Sequence, residues 1–171
     1  MIMRGRNLLI VGGLLLLIIA GLLGYHFIWR GSDIVRLPVV EDCRLNLEPC
    51  SSPLPQGSRI DFEINPRQPP SGEALHLKAE FHGIEPDAVG VRFVGINMNM
   101  GYLEYLVHEL SPTVTPDGSI RFTGQGGVFV CSIGLMRWLV LVEVRVGESV
   151  YEVPFNFETT YSGNQGNQRD R

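Results

Sequence analysis

The chain is short of cysteine, of tryptophan and of positive charge, and each shortage narrows what it can be. Its three cysteines, Cys43, Cys50 and Cys131, form no C-x-x-C pair. That argues against a thioredoxin-like redox motif and against a zinc ribbon, whose ligands come in close pairs. G-x-S-x-G, P-loop and dinucleotide fingerprints are missing, and the carboxylates are spread along solvent faces instead of paired in one motif. The four histidines, His26, His76, His82 and His108, make no H-x-x-x-H spacing, and a solvated strand face explains His76 and His82. Cys131 could act as a nucleophile only if the fold set a base such as His108 beside it. The expectation is a protein that is not an enzyme. Beyond Arg30, 11 basic residues stand against all 18 acidic ones, a balance of −7, which argues against nucleic acid or anionic lipid as a partner.

Charge is also missing from Leu8 to Trp29, LLIVGGLLLLIIAGLLGYHFIW. At about 1.5 Å per helical residue this run matches the roughly 30 Å hydrocarbon layer, so the reading is a transmembrane helix over 8–29. Arg4 and Arg6 precede it, which places residues 1–7 in the cytoplasm and the rest outside. The run exceeds the apolar core of a signal peptide, and no A-x-A-like site follows. The expected location is therefore the bacterial inner membrane, single-pass, with a periplasmic carboxy-terminal domain. Residues 30–42 read as a juxtamembrane linker, 43–160 as the periplasmic domain and 161–171 as a polar, disordered tail.

Within that domain, apolar residues alternate with polar ones over short runs separated by Gly and Pro, the pattern of an all-β sandwich or barrel. Ile60, Phe62 and Ile64 alternate with Arg59, Asp61 and Glu63; Leu75, Leu77, Ala79 and Phe81 alternate with His76, Lys78 and Glu80. Further strands are expected over 89–98, 102–110 and 119–123, with a turn at 115–118. A closing hairpin is expected from 139–146 and 150–157 around Gly147 and Glu148. In an exported domain the close pair Cys43 and Cys50 defaults to a disulfide, given a turn near Leu47–Pro49, and Cys131 is left as a free thiol.

The stretch from Cys131 to Val146, CSIGLMRWLVLVEVRV, carries the strongest strand signal, with Trp138, Val140, Val142, Val144 and Val146 in one phase. Cys131 and Met136 are placed on the run feeding that strand. In Asn97-Met98-Asn99-Met100-Gly101 an extended chain points both thioethers one way. Thioether and thiolate ligands select copper(I), so Met98, Met100, Cys131 and Met136 form a candidate metal site, with packing in the core as the competing role.

The order Met98-x-Met100-Gly101, then Pro116-Asp117-Gly118-Ser119-Ile120-Arg121-Phe122, then Met136-Arg137-Trp138 and alternating valines, resembles the small membrane-anchored YtkA-like and FixH-like proteins. The likeness covers roughly 89–157. One residue, where the family pattern has two, separates the methionines, and Tyr102 stands where that pattern has a histidine. The resemblance implies an all-β, immunoglobulin-like antiparallel β-sandwich preceded by one amino-terminal transmembrane helix. It also implies a membrane-anchored accessory protein that binds or delivers copper(I), for haem-copper oxidase assembly, with the inner membrane and an oxidase or copper chaperone as partners. The alternative is a non-metal structural sandwich subunit that docks an inner-membrane complex.

Overall fold

The computed structural model describes residues 3–28, 33–69, 73–97, 106–115, 120–128 and 134–160. The chain divides into two units, 1–32 and 33–171. The first holds the helix α1 (Met3–Ile28). Among the described residues no helix is long and apolar enough to cross a membrane. This corrects the expectation of a single-pass inner-membrane protein with a periplasmic domain.

The second unit is mostly β. Its strands are β1 (Asp33–Arg36), β2 (Val40–Arg44), β3 (Cys50–Pro53), β4 (Arg59–Asn65), β5 (Leu75–His82), β6 (Ala88–Gly95), β7 (Val107–Val114), β8 (Ile120–Gly126), β9 (Leu135–Val146) and β10 (Ser149–Thr160). The alternation read from sequence sets their faces. Ile60, Phe62 and Ile64 are fully buried in β4, as are Val140, Val142 and Val144 in β9 and Val153, Phe155 and Phe157 in β10. Each large apolar side chain so buried contributes about 1.5–3 kcal/mol. The longest pairing is the β9–β10 hairpin, turned at Gly147, whose φ of 59° suits glycine. Expected strand ends shift: β9 begins earlier, at Leu135, and β7 lies later than the run predicted for it. The turn at 116–118 and the tail at 161–171 lie outside the described residues.

The strand order is β1-β10-β9-β6-β7-β8-β5-β4-β3, with β2 also pairing β10. β7 joins two halves, pairing β6 through Val107–Leu110 and β8 through Ser111–Val114. Gly124 makes room at this transfer, since a Cβ there would lie 2.6 Å from Leu110 Cδ2 and 3.0 Å from the Glu109 carbonyl oxygen. Although β4 and β10 stand far apart in the strand order, the rings of Phe62 and Phe155 stack with centroids 5.8 Å apart. A flat sheet could not bring them together, so the sheet is curled.

Cys43 on β2 and Cys50 on β3 are joined as a disulfide, with Cα atoms 5.7 Å apart. Because β2 pairs β10 and β3 pairs β4, the bridge ties one end of the curled sheet to the other. The loop it closes is short, so the Cys43→Ser/Cys50→Ser double variant is expected to lose about 2–3 kcal/mol and still fold. Urea denaturation of the two forms measures this; a loss near zero would mean the closed loop barely restricts the unfolded chain.

Candidate functional site

Met136 lies inside β9, fully buried, on the same face as Trp138 and Val140 and opposite Thr159 on β10. This differs from its expected place on a loop feeding the strand: the core alternation extends one further step toward the amino terminus, and the thioether fills the interior. Met98, Met100 and Cys131 lie outside the described residues. Their flanks do meet. The Ile96 N–H donates to the Arg137 carbonyl at 2.9 Å. The Asn97 amide then donates through Nδ2 to the Leu135 carbonyl at 2.9 Å and accepts from the Arg137 N–H at 3.0 Å. Asn97 thus continues the ladder with its side chain at the start of β9. Among the described residues no group of three or more His, Cys, Asp or Glu side chains is placed to hold a metal ion.

A cavity of about 220 Å³ opens at the same start of β9. Its walls come from three places. Asn46 sits in the loop closed by the disulfide; Gln68 and Pro69 follow β4; Leu135, Glu158, Thr159 and Thr160 come from β9 and β10. The Leu45 N–H donates to the Asn156 carbonyl at 2.9 Å, which fixes the disulfide loop against β10. Asn46 Oδ1 is buried and has no hydrogen-bond partner. Leaving such an acceptor unpaired costs about 1–3 kcal/mol. Thr159 Oγ1 accepts from Trp138 Nε1 at 3.0 Å, anchoring the floor. Glu158 has Arg44 Nη1 at 3.6 Å, longer than a hydrogen bond. Nothing in the sequence pointed to this cavity, because Asn46 and Glu158 are far apart in the chain and only the β2–β10 pairing brings them together.

Carboxylates that looked dispersed also meet across strands. Glu143 and Glu152 are directly opposite on β9 and β10, an arrangement that like charges disfavour. Arg92 Nη2 resolves it, at 2.9 Å from Glu143 and 2.8 Å from Glu152, while Arg36 holds the other oxygen of Glu152 at 2.8 Å. Both carboxylates are therefore engaged by arginine, an arrangement that locks strands together. On the opposite half, burial alone would raise the Asp61 carboxyl, but hydrogen bonds from Ser51 and His82 together with Arg59 hold it below its ordinary value. The Lys78 hydrogen bond, opposed by burial and aided by Arg67, lowers Glu63.

His108 faces inward, its ring meeting the edge of Phe93 at 5.8 Å, and burial lowers its pKa from the ordinary 6.5. The unfolded chain therefore binds a proton that the folded chain refuses. Its contribution to stability is present above that ordinary value and is lost as pH falls through the lower folded one. Asp61 and Glu63 have the same sign at lower pH, being depressed carboxylates. Thermal midpoints are expected to fall on acidification from about pH 7 to about pH 5, with this step missing in His108→Gln. A midpoint that holds or rises over that range would contradict a neutral, desolvated His108.

No family model and no curated protein matches the chain. The solved structure of a DUF4785 family protein from Legionella pneumophila subsp. pneumophila, strain Philadelphia 1, is similar at 17% identity with a TM-score of 0.33. The likeness covers 61% of this chain and 28% of that one, so the chain spans little more than a quarter of that protein's length. At this level neither fold nor function carries over.

Proposed function

We propose that the chain is a non-catalytic binding domain of immunoglobulin-like β-sandwich architecture that holds its ligand at the end where Asn46, Leu135 and Thr160 meet. Support for the sandwich comes from the alternating burial of both halves, the sharing of β7 between them and the Phe62–Phe155 stack. The observation that carries the binding role is the cavity of about 220 Å³ whose walls are gathered from the disulfide loop, the exit of β4 and the ends of β9 and β10. A concave site lined by both polar and apolar side chains is where a small ligand is most readily held. Against catalysis stand the Arg-engaged Glu143 and Glu152 and the packing role of His108. A mixture of small polar fragments, followed through the amide signals of the full chain, tests the reading. Hits should shift residues 45–48, 67–69 and 157–160; hits on the charged face around Asp61 and Lys78 instead would refute it.

A second reading keeps copper(I) as the cargo, as the resemblance to YtkA-like and FixH-like proteins implies. What favours it is the Asn97 clamp, which holds the residue before Met98 against Leu135 and Arg137 of β9. Buried in the core, Met136 is a poor fit for the donor set of an exchangeable site, so the ligands reduce to Met98, Met100 and Cys131. The Met98→Ala/Met100→Ala variant should then lose most copper(I) affinity at little cost in stability. Unchanged affinity would end this reading.

A further inference from the structure

We propose that the Cys43–Cys50 disulfide is a redox-sensitive clasp: its reduction lets residues 33–45 open away from β10 while the sheet beneath them stays folded. Burial is the first reason. Every residue of β1 is exposed, and Cys43 is the one buried residue of β2. Across the whole stretch 33–44 Leu37 and Val40 are half-buried and nothing but Cys43 is buried. A segment with so few buried apolar side chains stands at the low-stability end of a domain.

Its backbone ties are equally thin. β1 pairs β10 over four residues, and β2 pairs it at two, with a register shift between them; the β9–β10 hairpin has twelve such pairs. Between the two short ladders falls Pro154, which has no N–H to donate. Three further contacts hold the segment: the Leu37 N–H on the Glu152 carbonyl at 3.0 Å, the Leu45 N–H on the Asn156 carbonyl at 2.9 Å, and Arg36 on the Glu152 carboxylate at 2.8 Å. Leu45 is its fully buried apolar anchor. The covalent hold comes from the other half of the sheet, where Cys50 is fully buried on β3 and β3 is paired to β4 along its length.

A dithiol reductant supplies the chemistry. Its thiolate attacks Sγ of Cys43, the more accessible residue of the two at 9% exposure against 0%. The S–S bond breaks, and Cys50 leaves as a thiolate that takes up a proton. The reagent's second thiol then displaces Cys43 as a thiol, and the reagent ends as a cyclic disulfide. Opening bares the edge of β10 that β1 and β2 cover and loosens the loop carrying Asn46, one wall of the cavity. On the reading of that end as the ligand-holding one, the oxidation state of the pair therefore gates the site.

Amide hydrogen exchange on the full chain, oxidised and in dithiothreitol, tests the clasp, with Cys43→Ser/Cys50→Ser as the bridge-free control. Leu45 is the reporter, and Val142, fully buried in β9 between β6 and β10, is the reference. In the oxidised chain the two should exchange at similar rates. In the reduced chain and in the double variant Leu45 should exchange about tenfold or more faster than Val142, at a rate that low urea leaves unchanged, because a local opening exposes little surface. A Leu45 rate already that fast in the oxidised chain, equal rates and a shared urea dependence after reduction, or loss of the β9 signals on reduction would each overturn the proposal, since the bridge would then either hold nothing locally or stabilise the domain only as a whole. The readout needs no ligand. If the exchange result holds and the fragment screen finds no hit at residues 45–48 and 157–160, the clasp stands and the ligand-holding reading falls.

Discussion

Met136→Ala is expected to cost the domain about 2–5 kcal/mol and to leave any copper(I) affinity where it was. The thioether is fully buried between Trp138 and the start of β9. Its removal therefore exposes no rim; it opens a cavity among Trp138, Thr159 and their neighbours, and the cost is the lost transfer energy plus the unfilled volume. Part of the loss falls on the binding end, because Met136 pairs across to Thr159, which forms the cavity floor. Urea midpoints for parent and variant give the first quantity, and competition with a copper(I) chelator gives the second. A copper(I) affinity that collapses without a stability loss would put Met136 back among the ligands and contradict its core role.

Phe155→Ala should be comparably damaging, about 3–5 kcal/mol. Phe155 is fully buried on β10 and its ring stacks at 17° on that of Phe62 from β4. The single substitution reports burial alone; the double-mutant cycle with Phe62→Ala reports whether the rings meet. A coupling of about 0.5–1.5 kcal/mol is expected for such a pair. Strictly additive losses would mean that the two halves of the sheet do not face one another there.

Most of the strand content was legible because these strands bury one face, so polar and apolar residues alternate. Ile60-Phe62-Ile64 and Val140-Val142-Val144 are the plainest cases. The short strands β1 and β2 were not legible. DIVR and VEDCR carry no sustained period, DIVR and the first three residues of VEDCR fall in the stretch read as a linker, and both strands are ordered by parallel pairing with β10, which the sequence does not announce. The close cysteine pair was readable from separation and composition, and the structure joins it. The apolar run at the amino terminus signalled a helix correctly, yet among the described residues no helix is long and apolar enough to cross a membrane. Of the four sulfur candidates only Met136 lies within the described residues, and strand phase alone, extended two positions upstream of Trp138, would have placed it in the core. The binding cavity was invisible for a different reason. It depends on long-range register that brings a disulfide loop, the exit of β4 and the last residues of β10 together, and no local pattern encodes that meeting.

Thr160 offers the most direct test of the binding end, since it is exposed and lines the cavity at the close of β10. Thr160→Trp should fill the opening without disturbing the core, so the parent's amide spectrum should persist away from the site. The measurement is the small-fragment screen repeated on this variant and on the parent. The account predicts that shifts at residues 45–48 and 157–160 present in the parent disappear in the variant. The same shifts, at the same affinity, in both proteins would contradict it.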